Sequence, residues 1–308
     1  MALRLPTSLP IPLPLLRTFR LPALALSGAL LVGCGSGKRG GDVLLDLLVS
    51  VATDLIDVPT DATPSFDAST IYFVTDGDSG SGVYEIGAEA DADPTQLAEA
   101  THARGVVATE EALFIADPGA DGVFRLPFAG GALTLVDGTA GYQPVALDGA
   151  DDITFAGTDP STGEVGVFRV SADGGTPSLL GSGFEGELSG VVVADDGAVY
   201  ATGDGDGLIY ALSGAELTVL AEDVELGSPA GIALSPDKGE VMVSSLDGNG
   251  RSQVLLIDPE SQETSVFNKE INQNTSSGGL HRALGAPKVF AWADSAGDNQ
   301  GKVYRIQF

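Results

Sequence analysis

One short phrase recurs six times along this chain, and it limits the possible folds more than any other feature. Ile71-Tyr72-Phe73-Val74-Thr75-Asp76 returns as Leu113-Phe114-Ile115-Ala116-Asp117 and as Ile153-Thr154-Phe155-Ala156-Gly157-Thr158-Asp159. Val199-Tyr200-Ala201-Thr202-Gly203-Asp204, Val241-Met242-Val243-Ser244-Ser245 and Val289-Phe290-Ala291-Trp292-Ala293-Asp294 complete the set. After a Gly/Asp turn each copy is followed by a second apolar run, such as Gly82-Val83-Tyr84-Glu85-Ile86 or Gly122-Val123-Phe124-Arg125-Leu126. The aromatic of that run steps by 40, 44 and 42 residues from Tyr84 through Phe124 and Phe168 to Tyr210. Short alternating runs punctuated by glycine and Asp-Gly are the grammar of antiparallel strands and tight turns.

A more continuously apolar run precedes each unit, as in Gly105-Val106-Val107-Ala108, Gly190-Val191-Val192-Val193 and Gly231-Ile232-Ala233-Leu234. A weaker one follows, as in Glu216-Leu217-Thr218-Val219-Leu220. Four strands in a period of about 40–45 residues are the signature of a β-propeller. Six copies predict an all-β fold of six four-stranded antiparallel blades over residues 63–308, with the apolar strands innermost. The last copy reaches its third strand at Phe308, so the fourth must come from the start of the domain, within residues 54–68. Closure of that kind leaves no open sheet edge, and a monomer is expected.

Ahead of the ring, Leu44, Leu45, Leu47, Leu48, Val51, Leu55 and Ile56 fall on one helical face and Asp46, Ser50, Asp54 and Asp57 on the other. This pattern predicts an amphipathic helix packed under the ring. A closing strand through Leu48-Val49-Ser50-Val51 is the rival reading.

The first 33 residues read differently from the rest. Arg4, Arg17 and Arg20 precede an apolar run from Leu21 to Val32, and no acid appears before Asp42. That is the charge and hydropathy order of a secretory signal. Cys34, the single cysteine, closes it, and Leu31-Val32-Gly33-Cys34 resembles the lipobox of bacterial lipoproteins. The resemblance implies cleavage before Cys34, acylation of its thiol and new amino terminus, and a Gly/Ser spacer within a linker over residues 34–62. One acyl chain anchors only marginally, whereas several hold stably. Gly35, where the family's retention signal has Asp, implies the outer membrane of the cell envelope.

Without those three arginines, 12 Lys and Arg stand against 43 Asp and Glu, a formal charge of −31. Nucleic acid is a poor partner for such a surface, since phosphates need basic neutralisation. An envelope protein or a small-molecule ligand on the ring's top face suits it better, with the membrane reached through Cys34.

The unit Ser228-Pro229-Ala230-Gly231-Ile232-Ala233-Leu234-Ser235-Pro236-Asp237 resembles the repeat of NHL-type and gluconolactonase-like (senescence-marker-protein-like) six-bladed propellers. The resemblance implies a divalent metal at the top of the channel, held by a glutamate of the first blade and by asparagine and aspartate at later inner-strand starts. There it would polarise a lactone carbonyl. At the matching positions this chain has Thr63-Pro64-Ser65-Phe66, Ala230 and Ser189 instead. A hard cation finds few oxygen ligands among them. The departure favours a non-enzymatic binding or scaffold module without a cofactor. A metal-dependent hydrolase or lyase on a lactone or sugar-derived substrate is the alternative.

Candidate site residues follow from position. Asp76, Asp117, Asp159, Asp204 and Asp294 end second strands, so they share the face where the inner strands begin. They serve either as a negative rim for Ca²⁺ or a basic partner, or as turn caps whose carboxylates accept local N–H groups. Asp76/Asp78, Asp204/Asp206, Asp247/Asn249 and Asp294/Asp298 have chelating spacing, but the position eleven after Asp76 is Gly87, not the glutamate of an EF-hand. His102 with Arg104 precedes the second inner strand, and His281 with Arg282 lies in the sixth. Histidine there serves either as a general base or, the favoured reading, in a structural or surface role. No Gly-x-Ser-x-Gly elbow supplies a nucleophile.

Overall fold

The inner strands of neighbouring blades approach one another closely around the channel. In the computed structural model, which describes residues 47–307 apart from 53–57, 78–80, 90–91, 150–151, 205–206, 215, 228–229, 273–277 and 297–299, they are Pro59–Pro64, Gly105–Ala108, Gln143–Gly149, Leu188–Val193, Ile232–Leu234 and Leu280–Arg282. A Cβ on Gly105 would sit 3.2 Å from the Ala146 Cα, and one on Gly190 would sit 2.7 Å from the Ala230 carbonyl oxygen. One on Gly231 would run into the backbone of Gly279 and Leu280. Glycine at the start of these three inner runs is thus what lets adjacent blades approach. Each inner strand neighbours the next, and the sixth returns to the first.

The described residues form 24 strands in six separate four-stranded antiparallel sheets, the six-bladed propeller that the repeat predicts. All of them fall in one compact unit, Val43–Phe308. Helix is confined, among the described residues, to the 3₁₀ turn Pro118–Ala120. The repeated aromatics meet their cross-strand partners, which stabilises each blade's face. Phe155 stacks on Phe168 with ring centroids 5.3 Å apart and Tyr142 packs edge-on to both, while Phe73 stacks on Tyr84 at 5.2 Å. Apolar clusters fill the gaps between neighbouring blades, one joining Val107 and Phe114 to Leu147 and Phe155.

The start of the ring departs from expectation in two ways. Residues 47–52, placed by their periodicity on a helix, form the strand Leu47–Ala52, which pairs antiparallel with Gln300–Gln307. Leu48 faces Ile306 and Val49 faces Arg305 in that register. The rival strand reading holds, because the last strand of blade six has an edge that must be paired. Closure comes from these residues and not from 54–68. Pro59–Pro64 serves as the inner strand of blade one, so both elements begin ahead of residue 63. Cys34 and the signal segment lie outside the described residues.

Candidate functional site

The channel has an upper mouth, where the inner strands begin, and a lower mouth, where they end. The five strand-ending aspartates do not converge at the upper one. Asp117 is buried and accepts the N–H groups of Thr101 (2.8 Å), His102 (3.0 Å) and Ala120 (3.0 Å), capping the 3₁₀ turn. Asp159 accepts from the Ser161 hydroxyl at 2.6 Å and the Ser161 N–H at 2.7 Å, contacts that hold its carboxyl below the usual range. Asp294 is fully buried and accepts from the Ser252 hydroxyl at 3.0 Å. Asp76 holds His102 Nδ1 at 3.0 Å and Arg104 Nε at 3.4 Å. Asp204 keeps one buried oxygen, Oδ1, without a partner. Asp247 closes an Asx turn through the N–H of Asn249 (2.8 Å) and of Arg251 (2.9 Å). Asp78, Asp206 and Asp298 lie outside the described residues. No group of three or more His, Cys, Asp and Glu that could hold a metal ion occurs among the described residues.

The positions matched to the metal ligands of gluconolactonase-like propellers are equally committed to the fold. Ser189 bonds the Thr202 hydroxyl at 3.2 Å and the Gly203 and Ala230 carbonyls at 3.3 Å each. Ala230 is buried and apolar, and Thr63 Oγ1 accepts the Ala108 N–H at 3.4 Å. No carboxylate or amide side chain stands at these three places, so they do not fit such a metal.

Deeper in the channel the structure brings together residues that the sequence leaves far apart. Asp61, third residue of the blade-one inner strand, is buried. Its Oδ1 accepts the N–H of Ala62 and its Oδ2 the N–H of Val106, both at 2.8 Å. His281 Nε2 meets the same Oδ2 at 3.0 Å. Burial alone would lower the imidazole, but the Asp61 charge and hydrogen bond, with Asp148 beyond, outweigh it and raise its pKa. One carboxylate therefore ties blade one to both of its neighbours, satisfying an inner-edge N–H that no strand pairs.

His281 also lines a cavity of about 380 Å³ at the lower mouth, between blades three, four, five and six. Asp148 accepts the Val193 N–H at 2.7 Å across the seam from blade three to blade four, and loss of hydration raises its carboxyl. Lys238 occupies a left-handed turn position, φ 63°, and its ammonium pairs with Asp195. Arg282 is half-buried, and its Nη1 donates to the Ser235 carbonyl at 3.1 Å. Arg169 and Asp152 complete the charged lining. A cluster of opposed charge thus sits on the face opposite the one the aspartate pattern suggests. Asp61 and Asp148 escape sequence reasoning, although an acid inside an inner strand, where other copies carry Val, Ile or Leu, is the signal that could find them.

Fold and channel together define the class, a six-bladed β-propeller with a charged lower mouth. No family model matches the sequence, and no curated protein matches it. The structure is similar to XC5397, a gluconolactonase from Xanthomonas campestris, at 18% identity and a TM-score of 0.60 over 84% of this chain and 89% of that one. It is also similar to the PQQ-bound aldose sugar dehydrogenase Adh of Streptomyces coelicolor, at 13% identity and a TM-score of 0.61 over 84% and 96% of the two chains. A luciferin-regenerating enzyme matches at 12% identity and a TM-score of 0.62 over 85% and 95%. Gluconolactonase-like propellers are thus among its structural neighbours, and at these identities the likeness is one of fold.

Proposed function

We propose that this chain is a lipid-anchored lipoprotein of the bacterial cell envelope, directed to the outer membrane, whose propeller is a non-enzymatic binding module. The observation that carries the binding role is the lower-mouth cavity. It is concave, of ligand size and lined by side chains of both charges. The upper-rim carboxylates of Asp117 and Asp159 and the hydroxyls of Ser189 and Thr63, by contrast, are engaged in caps and seams. The anchor rests on Leu31-Val32-Gly33-Cys34 and the apolar run before it.

Two measurements test this reading. Cys34→Ser is expected to abolish labelling by a fatty-acid probe and to release the protein from the membrane fraction; retention on membranes at high salt would sink the anchor. The second reading, a hydrolase or lyase on a lactone or sugar-derived substrate, is favoured by the likeness to XC5397, a gluconolactonase. Assays of the full-length protein on a lactone and ester panel, with and without Ca²⁺, Mg²⁺ or Zn²⁺, are expected to show no turnover. Metal-dependent turnover lost in His102→Ala would establish the second reading instead.

A further inference from the structure

Acidic residues outnumber basic ones in this chain by 43 to 15, so a guanidinium is expected to find a carboxylate. At the lower mouth two do not. Arg169 and Arg282 line the same cavity, and neither forms an ion pair among the described residues. The Arg282 side chain makes one hydrogen bond, to the Ser235 carbonyl, and that of Arg169 makes one, from Nε to Thr154 Oγ1 at 3.5 Å. A guanidinium carries five N–H donors in a rigid fork shaped for a carboxylate or phosphate, so most of that capacity is unused at both. Lys238 cannot play the same part, since Asp195 already holds it.

The carboxylates of the cavity are equally unfinished. Asp148 accepts the Val193 N–H through Oδ2 and has no basic group within ion-pair distance among the described residues, although Arg282 and His281 are near enough to be felt. Asp152 is exposed at the start of its strand and lines the same space. A simple anion would meet both carboxylates and the −31 charge of the mature chain. A neutral sugar would leave two half-dehydrated guanidiniums without a counter-charge, and leaving a buried charged group unmatched costs more than a neutral one. A ligand with both charges satisfies both sets of side chains.

We propose that the lower-mouth cavity binds a small zwitterion of amino-acid or dipeptide size, its carboxylate on Arg169 and Arg282 and its ammonium group on Asp148 and Asp152. The cavity, about 380 Å³, is at the small end of the range for ligand sites. Nothing in the assignment uses the upper mouth. It rests on the binding-module reading above and gives that reading a ligand class.

Calorimetric titration of the full-length protein in detergent with the twenty common L-amino acids and with dialanine tests it. At least one probe is expected to bind one-to-one. Its decarboxylated amine and its hydroxy-acid analogue are each expected to bind at least about tenfold more weakly, the loss of one charge-assisted contact. Arg282→Gln and Arg169→Gln should weaken the same probe by a similar factor while circular dichroism and thermal melting stay at wild type. Arg169→Gln is the safer variant for folding, since it gives up a single long hydrogen bond. Absence of binding by every zwitterion at millimolar concentration would overturn the proposal. So would equal binding of the hydroxy acid, which would mean an anion site, or binding unchanged in both arginine variants. A different small molecule that binds while all zwitterions fail would remove this ligand class and leave the binding module standing. Turnover of a lactone would remove the module itself.

Discussion

Two histidine–aspartate pairs in this ring have the same contact distance and opposite surroundings. His102 Nδ1 meets Asp76 at 3.0 Å on the upper rim, with the histidine side chain 63% exposed. His281 Nε2 meets Asp61 at 3.0 Å inside the channel, with the histidine side chain 10% exposed and the aspartate 5%. Water screens the first pair and competes for its hydrogen bond, so the contact adds little to the fold. In the second pair each group would be left dehydrated and unmatched without the other. Asp61 also receives two backbone N–H groups, whereas Asp76 shares its carboxylate with the partly exposed Arg104. Distance alone says nothing about what a pair contributes; the element that carries it does.

The comparison is easiest to break at the aspartates. Asp61→Ala strips an acceptor from Ala62, Val106 and His281 together and is expected to cost about 3–5 kcal/mol of unfolding free energy. Asp76→Ala should cost about 0–1 kcal/mol. Denaturant titration of both variants checks this, and equal losses would void the distinction. A smaller effect is expected from pH. The pKa of His281 is raised in the fold, so its contribution is complete below the ordinary value near 6.5 and is lost as pH rises through the folded value. Stability of the wild type should therefore decline as pH climbs from about 6.5, and Asp61→Asn should flatten that slope. Asp148, also raised by burial, loses stability in the same direction, starting from its ordinary value near 3.8. Smallest of all, His102→Ala is expected to change stability by no more than about 0.5 kcal/mol. A double-mutant cycle with Asp76 should give a coupling below about 1 kcal/mol, against several for Asp61 and His281. A large rim coupling would show that Asp76 is better shielded than its exposure suggests.

Much of the fold is legible in the chain because a strand's face alternation and a turn's glycine are local. The second strands, the third strands and the apolar inner runs fall where the repeat puts them. Residues 47–52 do not, since their apolar spacing satisfies a helix as well as a strand. Pairing to the free edge of Gln300–Gln307, remote in sequence, decides between the two. The rim aspartates were ambiguous for a similar reason. A carboxylate that caps a turn and one that faces a ligand have the same neighbours in sequence. Asp117 and Asp159 cap, and only the position of the Thr101, His102 and Ser161 N–H groups reveals it. His281 and Arg282 stand out as scarce bases in an inner strand, yet the partners that give them meaning, Asp61 and Asp148, sit in blades one and three.

By itself the sequence determined the number of blades, their strand order, the glycines that let them crowd the channel and the charge they carry. Those properties are written in residue types and short-range spacing. Which charges meet was decided by the tertiary structure alone. Asp61 and His281 are 220 residues apart and become neighbours because a closed ring sets its first blade against its last. The lower cavity has the same origin, gathering Asp148, Arg169, Asp195, Lys238 and Arg282 from four blades. Local patterns build the blades, and ring closure places their ends around one channel.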